Sequence, residues 1–172
     1  MYLFFISVVS MQLVEFFIWR NVSNPMWNSL LSKIVFILLF IQPIFSLMIL
    51  SNEKLRNILL IIYLSLAIPF STYKLITNKF KTLISPCGHL NWNLEHNYYI
   101  LLLAIWTFFF LFSLFYEGKF LYVLFGLVTL ILILYKYNKD KTTNSMWCWV
   151  INSISLYLAF YLLFYLPFYE KK

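Results

Sequence analysis

Long apolar runs at residues 1–19, 30–50, 57–74, 98–116, 120–137 and 146–168 alternate with short polar or basic stretches along the chain. A hydrocarbon layer about 30 Å thick takes about 20 apolar residues per helix. Within lipid the backbone satisfies its own hydrogen bonds only in helices or closed barrels, and no barrel-like alternation is present. The pattern therefore predicts an all-α fold, a polytopic transmembrane helical bundle of about six spans, with residues 1–172 forming one transmembrane domain. The first run has no basic leader and no small-residue cleavage site, and it carries Gln12 and Glu15, so it reads as a helix and not as a cleaved signal. Met1 already lies inside that run, which leaves room for a seventh, upstream helix in a longer chain.

The connections are short, except for residues 75–97. Pro25 and Trp27 mark an interfacial turn, Ser51-Asn52-Glu53-Lys54 a tight polar one, and Glu117-Gly118-Lys119 a hairpin between antiparallel helices. Pro43 and Pro69 fall inside spans, where each frees a carbonyl and kinks its helix. Gln42, Ser46, Ser65, Ser71 and Thr72 are the nearby polar groups available to re-satisfy the backbone.

Composition strengthens the membrane reading. Hydrophobic residues make up 63% of the chain and charged ones 11%, against about 25% charged in soluble domains; the mean hydropathy is +0.82. The net charge of +7 comes from loop lysines. Such charge orients a membrane protein and meets anionic lipid headgroups, so membrane lipids are the expected partners and nucleic acid is not. With six spans, Arg20, Lys33, Lys74, Lys79, Lys81, Lys136, Lys139 and Lys141 share one face, and Lys54, Arg56, Lys119, Lys171 and Lys172 the other. The richer face is expected in the cytosol. Oligomers are compatible with the sequence.

Few residues are equipped for chemistry. Glu15 lies about 6 Å inside its helix end at 1.5 Å rise per residue, and Gln12, Glu15 and Trp19 share a helix face at i, i+3, i+7 spacing. The long connection holds Cys87, His89, Trp92, Glu95 and His96, while Trp147, Cys148 and Asn152 lie at the start of the last run. Span counting brings all of these to one membrane face, where they form a candidate ligand or lipid-headgroup site.

Three arrangements fit that set. Cys87, His89, His96 and Cys148 are zinc-type ligands, and a bound zinc would activate water for hydrolysis of a lipid or an intramembrane bond. A Cys87–Cys148 disulfide is an alternative, but it requires an extracytoplasmic face. In the third, Trp92, Trp147 and Trp149 anchor at headgroup depth and the polar groups satisfy one another. A Ser-His-Asp nucleophile is disfavoured because the only Asp, Asp140, sits in a basic loop, and three glycines make no phosphate loop. Voltage sensing is excluded for want of a basic ladder, but a small transporter, a channel or a partner-binding membrane protein stays open.

Met11-Gln12-x-x-Glu15-x-x-x-Trp19, Cys87-Gly88-His89-Leu90-x-Trp92 and Trp147-Cys148-Trp149 together resemble a functionally uncharacterised family of multi-span membrane proteins of large DNA viruses, with fungal relatives. The AT-rich residue usage, rich in Phe, Ile, Asn and Lys, agrees with that resemblance. It implies a multi-span membrane protein and gives no residue a catalytic role. Seven-helix zinc hydrolases such as the alkaline ceramidases are similar only in having polar residues near one face, because their three-histidine set cannot be built from His89 and His96.

Overall fold

In the computed structural model, which describes residues 2–93 and 99–161, most of the described residues are helical. Helices α1 (Tyr2–Asn21), α2 (Pro25–Leu47) and α3 (Glu53–Thr77) precede two short strands, β1 (Leu83–Ile84) and β2 (Leu90–Asn91). Then follow α4 (Tyr99–Tyr116), α5 (Phe120–Tyr137) and α6 (Thr143–Phe160). Helices α2, α3 and α5 are long and apolar enough to cross a membrane, whereas the apolar part of α4, Ile100–Tyr116, is shorter.

Capping explains where two helices begin earlier than hydropathy suggests. Asn24 Oδ1 accepts from the Met26 and Trp27 amides, and Pro25 supplies a pre-set φ at the first helical position. Asn52 does the same for α3 by accepting from the Leu55 amide, with Glu53 in the first turn, where an acidic residue opposes the helix dipole. Polar turn residues thus become the first turns of the helices.

The long connection contains a hairpin that hydropathy does not reveal. Leu83 pairs with Asn91 and Ile84 with Leu90 in antiparallel register. The loop Pro86-Cys87-Gly88 closes with Gly88 N donating to Ser85 O at 2.8 Å, and Gly88 takes φ +81°, a conformation open to glycine and strained for other residues.

Helices α1, α2, α4, α5 and α6 close into a ring, each packed on the next and α6 back on α1, while α3 lies outside against α2. The inward stripe of α1 is Phe4, Val8, Met11, Glu15 and Ile18, a single helical face. Phe4, Phe110 and Trp147 pack with Leu130 and Ile133 at the ring's centre. Of α3, only Tyr63 and Ala67 are buried.

Pro43 breaks the α2 ladder, and aromatic donors repair it. Proline lacks the N–H that would bond the carbonyl four residues back, and the Leu39 carbonyl instead accepts the Trp106 indole N–H at 2.6 Å. The next carbonyl, Phe40, accepts the Tyr63 hydroxyl at 2.9 Å. These donors come from α4 and α3, in place of the hydroxyls near Pro43 in sequence. Elsewhere Ser46 Oγ donates to Phe110 O at 2.6 Å and so must accept from Ser113 Oγ, also at 2.6 Å. Gly126 lets α5 approach α4, since a Cβ there would sit 3.3 Å from Leu111.

At one end of the ring, Asn28 fixes the hairpin. Its amide N–H groups donate to Val22 O at 3.0 Å and Thr82 O at 2.9 Å, and its carbonyl accepts from Thr82 N at 2.8 Å and Ser32 Oγ at 3.2 Å. All four hydrogen-bonding positions of this fully buried amide are filled. At the other end, Glu117 Oε1 accepts from Ser51 N at 2.7 Å and Ser51 Oγ at 2.8 Å, tying the α2–α3 turn to the α4–α5 turn.

Two predictions follow from these joints. Asn28→Ala strands several buried groups, each worth about 1–3 kcal/mol, so detergent-solubilised protein should lose about 3 kcal/mol of stability in denaturant unfolding, with a loss under about 1 kcal/mol contradicting the hub role. The Ser51 amide and hydroxyl, helped by Lys119, hold the Glu117 carboxyl below the usual carboxylate range. A depressed carboxyl stabilises above its unfolded pKa, about 4.3, and loses that contribution as pH falls through the lower folded value. The stability difference between wild type and Glu117→Gln should therefore be constant above about pH 5 and shrink below about pH 4; a pH-independent difference rules this out.

Candidate functional site

The hairpin end of the ring gathers the α1–α2 turn, the hairpin itself and the α5–α6 turn. Ser85 Oγ donates to Asp140 O at 3.1 Å, and Thr82 holds β1 onto α2. This docking carries Leu90 and Trp92 inward, where both are buried beside Met11, Ile18 and Cys148.

Beneath the hairpin lies Glu15, only 3% exposed. Ser145 Oγ, from the first turn of α6, donates to its carboxylate. The Trp92 side chain lies close enough to interact with the same carboxylate, but its Nε1–H has no partner of good hydrogen-bond geometry among the described residues. The buried Gln12 Nε2, one turn away on α1, and Thr143 Oγ1, at the start of α6, also lack a partner among the described residues. The buried Cys148 thiol is within electrostatic reach of Glu15.

Cys148 also borders an open cleft of about 100 Å³ between α2, α3, α4 and α6. Phe36, Phe40, Phe70, Trp106 and Trp147 wall it, and Asn144 and Cys148 supply polar atoms.

The expected set divides between two levels. Gln12, Glu15, Trp92 and Cys148 come together in the interior. Cys87 and His89 reach the rim above: Cys87 is exposed with its thiol 3.9 Å from Thr142 Oγ1, and the His89 ring meets Tyr137 edge-on at 5.6 Å between centroids. Trp19 does not join them, being 45% exposed on the outside of α1. Asn152 is half-buried further along α6. Glu95 and His96 lie outside the described residues.

Among the three expected tryptophan anchors, only Trp149 is exposed; Trp92 and Trp147 are buried within the protein. Trp147 Nε1 donates inward, to Gly126 O at 3.2 Å and Thr129 Oγ1 at 3.3 Å. Cys87 and Cys148 are both free thiols. Among the described residues, no three His, Cys, Asp or Glu side chains come together as metal ligands, so the zinc arrangement of Cys87, His89 and Cys148 is not assembled there without His96. Asn28, Thr82 and the cleft's phenylalanines were not singled out from the sequence. The spacing of Asn28 and Ser32, one turn apart in an otherwise apolar helix, is the signal that marks the first of these.

No family model, curated protein or solved structure gives a significant match to the chain.

The thiols give a direct check on the two levels. In detergent, a maleimide should modify folded protein once, at Cys87, and twice only after denaturation, while Cys87→Ser abolishes the native-state reaction. Rapid double labelling of folded protein, or a lack of reaction that reductant reverses, contradicts the arrangement.

Proposed function

We propose that the chain is a multi-pass integral membrane protein of six spans whose hairpin end binds a lipid headgroup. The 18 residues of each of α4, α5 and α6 extend about 27 Å at 1.5 Å per residue, close to the hydrocarbon thickness of about 30 Å. Helices α1 and α6 owe their lower hydropathy to polar residues, of which Ser7, Glu15, Thr143 and Ser145 are buried away from the bilayer. The ring packs both against helices that are apolar enough to span.

The observation that carries the ligand reading is Glu15, buried with the Ser145 hydroxyl and the Trp92 side chain against it and the unpartnered Gln12 amide one turn away. A guest bearing a hydroxyl or a cationic group at this end would meet the carboxylate, and its acceptor atoms would take the idle N–H groups. Basic residues concentrate on the same face, where Arg20, Lys79, Lys81 and Lys139 are exposed and suited to a headgroup phosphate.

Glu15→Gln keeps the shape and the acceptor for Ser145 while removing the charge. Mass spectrometry of lipids co-purified with the folded variant should show loss of the retained headgroup class by about tenfold, the equivalent of 1.4 kcal/mol. An unchanged lipid profile at unchanged melting temperature counts against the pocket.

A further inference from the structure

We infer that the cleft beside Cys148 accepts the trimethylammonium group of a choline-type headgroup, a reading that rests on the headgroup pocket proposed above and names its ligand class. The size is the first argument. The open cleft, of about 100 Å³, has room for a group of a few heavy atoms. A trimethylammonium group has one nitrogen and three carbons.

The walls are the second argument. Phe36, Phe40, Phe70, Trp106 and Trp147 come from four different helices and line the cleft with aromatic rings. Aromatic faces attract a cation within about 6 Å of the ring centroid, and cages of such rings select quaternary ammonium ions. Phe70 already carries one cation, with Lys74 Nζ 5.8 Å from its ring centroid. Lys74 lies one turn nearer the hairpin end and offers a counter-charge to the phosphate joined to choline.

Hydrogen bonding separates choline from ethanolamine. A primary ammonium brings three N–H donors that need acceptors when desolvated. The cleft's only polar side chains besides the two indoles are Asn144 and Cys148, and the indoles are donors already engaged with Leu39 O and Gly126 O. Trimethylammonium has no N–H to satisfy, and its methyl groups suit an apolar lining.

The test titrates lipid-stripped protein in a maltoside micelle with soluble phosphocholine and phosphoethanolamine, following tryptophan fluorescence from Trp106 and Trp147. Phosphocholine should bind about tenfold more tightly than phosphoethanolamine, Phe70→Leu should remove most of that preference, and Phe70→Trp should preserve it, because indole is the stronger cation–π partner. Equal binding of the two probes overturns the choline assignment and leaves the headgroup pocket standing. Binding of neither removes both. A choline preference that survives Phe70→Leu in folded protein also overturns the aromatic cage.

Discussion

Polar groups buried among apolar helices have no water to fall back on, and each main joint of this fold lies where such a group finds its partner inside the protein. Pro43 strips a donor from α2, Trp106 reaches in from α4 to replace it at the Leu39 carbonyl, and Tyr63 of α3 bonds the neighbouring Phe40 carbonyl. Asn28 spends its entire hydrogen-bonding capacity on the α1–α2 turn, on α2 itself and on the hairpin. Glu15 draws the first turn of α6 onto α1 through Ser145. Apolar packing holds the helices together in general, but these bonds decide which helix meets which and in what register.

The same accounting locates the candidate site. Around Pro43, Asn28 and Ser46 the donors and acceptors balance. Beneath the hairpin the Gln12 amide and the Thr143 hydroxyl are buried without partners among the described residues, as is the Thr107 hydroxyl on α4. Leaving a buried donor idle costs about 1–3 kcal/mol, and this is the end of the ring for which we propose a ligand.

Much of this was readable from the chain itself. Apolar length marked the helices, and alternating direction brought Glu15, the long connection and Cys148 to one end. Periodicity went astray at the edge of the α1 stripe. At 100° per residue Gln12 lies about 80° and Trp19 about 60° round the helix from its centre; Gln12 is half-buried, and Trp19, near the end of α1, is exposed. The inward turn of Trp92 and Trp147 depends on hairpin docking and on a carbonyl supplied by α5 at Gly126, neither of which is local to either residue. Helix starts at Pro25 and Glu53 were hidden because capping residues look like loop in a hydropathy pattern. The α2 repair was hidden too, since Trp106 is 67 residues from the carbonyl it fills.

The claim beneath the whole account is that Glu15 and Ser145 are energetically coupled across the first and last helices. A double-mutant cycle with Glu15→Ala, Ser145→Ala and the double variant, measured by unfolding in detergent, tests it most directly. Direct contact between the two predicts a coupling of about 1 kcal/mol or more. If the two substitutions are instead additive to within about 0.3 kcal/mol, the side chains do not act together and the arrangement at the hairpin end is wrong.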